Sequence, residues 1–169
     1  PALLFASNDY LGLANHPQLK QAAMKAIDKF GVGSGASRLI SGTLTPHRNL
    51  ELAIAQFTNT EATLTFSSGY ATNLGVIPQL AKTGGLILAD RLCHASLIDA
   101  CRLSRSTLRV FHHNDMEHLR SLLTKRPPKH PTLILSEGVF SMDGDLALLP
   151  ELVRLAEEFE ATLLIDDAH

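Results

Sequence analysis

Short aliphatic runs alternate with segments of helical period along this chain, and that alternation leaves few architectures open. Five runs stand out: Ala62 to Phe66, Leu86 to Asp90, Thr107 to Phe111, Thr132 to Glu137 and Ala161 to Asp166. They are short and mostly apolar, the pattern of strands buried on both faces rather than on one. Helical patterns lie around them. Leu19, Ala22, Ala23, Ala26, Ile27 and Phe30 follow Pro17, a residue suited to a first helical turn. Leu50, Ala53, Ile54 and Phe57 repeat the spacing, as do Leu152, Val153, Leu155, Ala156 and Phe159. Asn114 followed by Glu117 resembles a capping box opening a further helix through Met116, Leu119 and Leu122. Strands alternating with helices predict an α/β fold, a mainly parallel sheet with helices on both faces. Residues 1–30 are expected to form an N-terminal arm and helix outside that sheet, because the alternation begins only after a glycine-rich segment, and residues 31–169 the sheet domain.

Composition narrows the function classes. A net charge of -2 with no run of Lys or Arg gives no electrostatic footprint for nucleic acid or an anionic membrane. No stretch approaches the roughly 18 apolar residues of a membrane span. Cys93 and Cys101 lack the spacing of a zinc site or a disulfide framework, which points to reduced thiols and a cytoplasmic protein.

Chemistry is expected where strands end, because open parallel sheets bind ligands outside the carboxyl ends of their strands. Ser67-Ser68-Gly69-Tyr70 follows the run ending at Phe66 and opens a helical segment, so its backbone N–H groups suit a phosphate or serve plain capping. His94 lies beyond the run ending at Asp90, either a structural loop residue or an imidazole that stacks on a planar ligand. Ser141-Met142-Asp143-Gly144-Asp145 follows the next run without the spacing of a calcium loop. Asp166-Asp167-Ala168-His169 closes the last run, and with only one histidine it makes a thin metal site, so no metal is expected. His112, His113 and His118 fit surface or packing roles. The glycine-rich Gly31-Val32-Gly33-Ser34-Gly35 follows a helical pattern instead of a strand, which excludes a dinucleotide fingerprint and leaves a flexible connection or a ligand-contacting loop.

Taken in order, Ser7-Asn8-Asp9-Tyr10-Leu11-Gly12-Leu13, the glycine loop with Ser37-Arg38-Leu39, Ser68-Gly69-Tyr70, Ala89-Asp90-Arg91, His94-Ala95-Ser96-Leu97, His113-Asn114-Asp115, Ser141-Met142-Asp143-Gly144-Asp145 and Asp-Asp-Ala-His resemble the α-oxoamine synthase family. The resemblance implies the major domain of a pyridoxal 5'-phosphate-dependent transferase of aspartate aminotransferase type, present here in part. It implies an acyltransferase that condenses an amino acid with an acyl thioester and releases carbon dioxide. Glu137-Gly138-Val139-Phe140 and Asp167-Ala168-His169 are most like the biotin-pathway branch, which joins L-alanine to a pimeloyl thioester carried on coenzyme A or a carrier protein. The alternatives are branches that take glycine or serine.

Carried over, the resemblance makes Gly69 and Tyr70 backbone contacts of the cofactor and stacks His94 over its ring, with a further part for His94 in the chemistry at the substrate. Asp166 faces the ring nitrogen, His169 and Ser141 hydrogen-bond ring substituents, and Asn8 approaches the substrate carboxylate. A homodimer is implied as well.

One element of the family pattern is missing. Lys20, Lys25, Lys29, Lys82, Lys125 and Lys129 all precede the Asp-Asp-Ala-His segment, and none stands in the context of the Schiff-base lysine. The polypeptide taken literally is expected to be inactive. It fits the N-terminal portion of a longer enzyme, or else a non-catalytic homologue that supports a partner subunit.

Overall fold

The computed structural model describes residues 4–127 and 129–169. Contacts divide the chain between Leu64 and Thr65 into two units.

The first unit holds two helices, α1 (Pro17–Phe30) and α2 (Thr45–Thr58). Pro17 opens α1 and Gly31, at φ 78°, closes it by donating its N–H to Ile27 O. The apolar stripe anticipated for α1 forms on one face, yet none of its residues is buried. The loop between the helices is ordered by its own hydrogen bonds. Gly42 and Ile40 donate backbone N–H groups to Ser37 O, and the Thr43 hydroxyl donates to Arg38 O. The Arg38 guanidinium grips Glu51 on α2 with two nitrogens, at 2.6 and 3.1 Å.

The second unit carries the sheet. Its elements are α3 (Gly69–Leu80), β1 (Leu86–Asp90), α4 (Ala95–Leu103), β2 (Thr107–Phe111), α5 (Met116–Thr124), β3 (Thr132–Glu137), α6 (Leu149–Glu158) and β4 (Thr162–Asp166). The four strands are parallel in the order β2-β1-β3-β4. β1 and β3 lie at the centre and every residue of both is buried, whereas the edge strands β2 and β4 keep partial exposure. The near-continuous apolar runs thus reflect coverage on both faces.

Period-two alternation sorts the side chains into two cores. Leu86, Leu88 and Ile134 point to one face, where they pack with Phe111, Leu119 and Leu123 of β2 and α5 and with Leu152 and Leu155 of α6. Ile87, Ala89, Leu133 and Leu135 point to the other, against Ile77 of α3 and Leu97, Ala100 and Cys101 of α4. The chain leaves β1 toward β2 and returns across the sheet to β3, so the loops after β1 and β3 diverge. That divergence is the switch point at which open α/β sheets form a ligand crevice.

Two local expectations are corrected. Ala62 to Phe66 is not a strand. It pairs with no described strand, and both Leu64 and Phe66 are exposed, so the apolar run lacks the neighbour that a ladder requires. The cap of α5 is Asp115, whose carboxylate accepts from His118 N at 2.9 Å, and not Asn114. Asn114 sits at φ 52°, a left-handed conformation that Asn tolerates, and its amide instead reaches Asp145 and Leu146 O. His94 stands at the N-cap of α4, a helix that the apolar spacing did not reveal.

Candidate active site

Two carboxylates mark the cleft at the carboxyl end of the sheet. Glu137 and Asp166 are register partners at the ends of β3 and β4. Paired positions in parallel strands share a face, and this one continues the Leu133, Leu135 side toward α3 and α4. The neighbouring Asp167 alternates away. An added Cβ on Gly138 would meet its carboxylate at 2.3 Å, so Asp167 packs over the turn after β3.

The cleft encloses about 130 Å³ and is lined by Gly69, Tyr70, Asn73, His94, Ser96, Glu137, Asp166, Ala168 and His169. Of the residues anticipated from sequence, Gly69, Tyr70, His94, Asp166 and His169 therefore converge. Ser141 lies outside this lining, exposed in the turn that follows β3. Asn8 belongs to the first unit, where its Oδ1 accepts from the Tyr10 hydroxyl.

At one side of the cleft is the start of α3. The Ser68 hydroxyl caps it by accepting from Ala71 N at 3.1 Å, and Thr72 N donates to Ser68 O. The N–H groups of Gly69 and Tyr70 find no partner among the described residues, as the first turn of a helix requires. An added Cβ at Gly69 would meet nothing within 4 Å, so the backbone is open to an incoming group. Unsatisfied donors at the positive end of a helix favour an anion. The Tyr70 hydroxyl turns away to donate to Asp99 at 3.1 Å; that bond raises the Tyr70 pKa and keeps the phenol protonated.

Asn73, one turn along α3, is the residue that sequence reasoning missed. Only 7% exposed, it donates through Nδ2 to Ser96 Oγ and to Asp166 Oδ2, both at 2.9 Å. A polar residue on the buried stripe shared with Ile77 was the available signal. Ser96, buried at the start of α4, stands 2.7 Å from His94 Nδ1, and its backbone N–H also donates to that nitrogen at 3.2 Å. Glu137, 4% exposed, accepts the backbone N–H of His94 through Oε1. Burial pushes the Glu137 pKa up, the His94 N–H opposes the shift, and the nearby Asp166 adds to it.

A second carboxylate network lies on the opposite face. Asp90, 1% exposed, accepts from Leu92 N, Asn114 N and His113 Nδ1 at 2.8 to 2.9 Å. The other ring nitrogen of His113 stands 2.7 Å from Asp145 Oδ2, and the ring meets Phe140 edge-on. Carboxylates only accept, so His113 satisfies both as the imidazolium. Burial opposes that charge, but the Asp90 and Asp145 carboxylates outweigh it and raise the His113 pKa. The hydrogen bond from His113 lowers the pKa of Asp145 in turn. This clasp ties the turn after β3 to the ends of β1 and β2, a structural role beyond the simple packing anticipated for His113. His112, Asp115 and His118 offer ligand atoms within 4.8 Å of one another at the surface, with His118 Nδ1 engaged by His112 N.

The cleft thus sets anion-binding backbone donors and a carboxylate around one space, with an imidazole beside them. That donor set suits a flat ligand carrying an anionic group and a basic ring nitrogen.

A family model described as aminotransferase class I and II matches residues 1–169. The 8-amino-7-oxononanoate synthase of Geobacter sulfurreducens is 52% identical over 167 residues, 99% of this chain and 43% of that protein. The 8-amino-7-oxononanoate synthase of Geotalea daltonii is 55% identical over 168 residues, 99% of this chain and 43% of that protein. Among solved structures, serine palmitoyltransferase of Sphingomonas wittichii superposes with a TM-score of 0.93 at 38% identity, over 95% of this chain and 40% of that one. The chain spans less than half the length of the curated relatives that it matches.

Proposed function

The chain belongs to the aminotransferase class I and II family, and from that premise we propose that the protein is a pyridoxal 5'-phosphate-dependent 8-amino-7-oxononanoate synthase. It condenses L-alanine with a pimeloyl thioester, on coenzyme A or a carrier protein, and releases carbon dioxide. It works as a cytoplasmic homodimer in biotin biosynthesis. The observation that carries this reading is Asp166, a carboxylate aimed into a cleft whose other side is the open N-terminus of α3. Identity of 52 to 55% to two 8-amino-7-oxononanoate synthases supports the alanine branch.

Residues 31–169 form the first part of the cofactor-binding major domain, behind an arm at 1–30. No lysine lines the cleft among the described residues. When bound, pyridoxal phosphate supplies an electron sink for negative charge developing at the substrate Cα. Gly69 and Tyr70 hold its phosphate through backbone N–H groups. Asp166 would keep its ring nitrogen protonated, because a nearby anion stabilises the charged form. His94 would cover one face of the ring, exclude water there and present a ring nitrogen to the substrate. His169 and Ser141 would hydrogen-bond ring substituents.

The test is an Asp166→Asn variant of the full-length protein. Loss of a charge-assisted hydrogen bond of ~1.5–3 kcal/mol weakens cofactor binding by about ten- to a hundredfold. Wild type develops a visible absorbance band with cofactor, and L-alanine shifts that band more than glycine or serine does. Unchanged affinity in the variant, or no response to alanine, overturns the assignment.

A further inference from the structure

The polar groups that line the cleft form one directed chain, and its direction follows from a single carboxylate. Asp166 Oδ2 can only accept a hydrogen bond, so the Asn73 atom 2.9 Å away must be the amide nitrogen. The same nitrogen lies 2.9 Å from Ser96 Oγ, which fixes that oxygen as an acceptor. The Ser96 hydroxyl hydrogen is then free to point only to its remaining close neighbour, His94 Nδ1 at 2.7 Å. Nδ1 also receives Ser96 N–H at 3.2 Å. A nitrogen that accepts from both backbone and side chain carries no proton, which leaves the proton of the neutral ring on Nε2.

We propose that Asn73 and Ser96 are positioning residues that couple Asp166 to His94, so that the carboxylate, as a hydrogen-bond acceptor, selects the Nε2–H tautomer of the imidazole and holds its ring orientation. This rests on the proposed cofactor role of Asp166 and His94 and extends it to two residues buried behind them. Asn73 spends both amide hydrogens, one on each partner, so the orientation of a single amide positions both. Glu137 holds the backbone of His94 through its N–H, and the chain from Asn73 holds the ring. Asp166 would be held in place for a ring nitrogen of the cofactor, and His94 presents an N–H donor, not a lone pair, on its unengaged side. Glu137 and Asp166 are the carboxylates facing this chain from β3 and β4, and His169 is the other imidazole in the cleft.

The full-length protein is labelled with ¹⁵N-histidine, and the imidazole of His94, assigned by comparison with His94→Gln, is observed by NMR with and without pyridoxal phosphate. Wild type shows the Nε2–H pattern in both states. Ser96→Ala and Asn73→Ala each shift His94 to a mixture of tautomers and weaken cofactor binding by about three- to tenfold, the equivalent of one ordinary hydrogen bond. Ser96→Thr, which keeps the hydroxyl, restores the wild-type pattern. Melting of the apoprotein shows that each variant is folded, and Asn73→Ser gives a second lesion at the same link should Asn73→Ala fail to fold. A His94 tautomer unchanged in Ser96→Ala and in the Asn73 variant, with Asp166→Asn still weakening the cofactor, overturns the coupling and leaves the functional assignment standing. Unchanged cofactor affinity in Asp166→Asn overturns both.

Discussion

Removing the His113 imidazole from the full-length protein isolates the clasp on the face opposite the cleft. In His113→Ala, Asp90, 1% exposed with the ring in place, keeps the Leu92 and Asn114 backbone donors but loses its side-chain donor. A hydrogen bond to a charged group contributes about 1.5–3 kcal/mol, and the edge contact with Phe140 adds about 0.5–1.5 kcal/mol. The bond to Asp145, whose side chain is 42% exposed, is left out of the sum as solvent-screened. The expected loss is about 2–4 kcal/mol near pH 6.

The pH dependence carries the sharper test. The His113 pKa is raised on folding, so its contribution is fully present below its unfolded value of about 6.5 and is lost as pH rises through the folded value. The Asp145 pKa is lowered, so its part is present above the unfolded value of about 3.9 and is lost as pH falls through the folded one. The gap between wild type and His113→Ala is therefore widest from about pH 4 to about pH 6.5 and narrows above it. Urea unfolding followed by circular dichroism across about pH 4 to 9 measures the gap. A gap that is constant or that widens toward alkaline pH refutes the imidazolium clasp.

Three further outcomes follow from packing. Ile134→Ala, at a fully buried position between β1 and β4, lowers the unfolding free energy by about 2–5 kcal/mol, and a change below about 1 kcal/mol would place that side chain outside the core. Cys101 resists alkylation at pH 8, because burial pushes its pKa up to about 11; a reaction as fast as that of a free thiol in the same buffer contradicts the fold there. Gly42→Ala disrupts the loop between α1 and α2, since an added Cβ would lie 1.9 Å from Ala36 O; proteolysis within residues 35–44 rises in the variant, and a wild-type digestion pattern contradicts that turn.

The strands were legible because β1 and β3 sit under helices on both faces, which forces nearly every position to be apolar. Leu86 to Asp90, Thr107 to Phe111 and Thr132 to Glu137 keep the bounds that the sequence suggested. The same rule misleads at Ala62 to Phe66, where composition is strand-like but no neighbour supplies a ladder. The helix at α4 escaped notice because Ser96, Leu97, Ala100 and Cys101 form its buried face with small and polar residues that weaken the apolar period.

By itself the sequence determined the layered α/β class, the strand ends where ligands bind, and the placing of His94 and Asp166 beside two of those ends. It could do so because burial and period-two alternation are written locally, and because sequence neighbours of a strand end stay near that end. Only the tertiary structure decided which carboxylate serves which face. Asp166 and Glu137 turn toward α3 and α4, and Asp90 turns toward His113, by the order β2-β1-β3-β4 and its register. Asn73 lies 93 residues before Asp166 along the chain, and nothing local marks the two as partners. They meet because α3 packs over the sheet face on which β4 ends, a juxtaposition set by strand order and helix packing rather than by any motif.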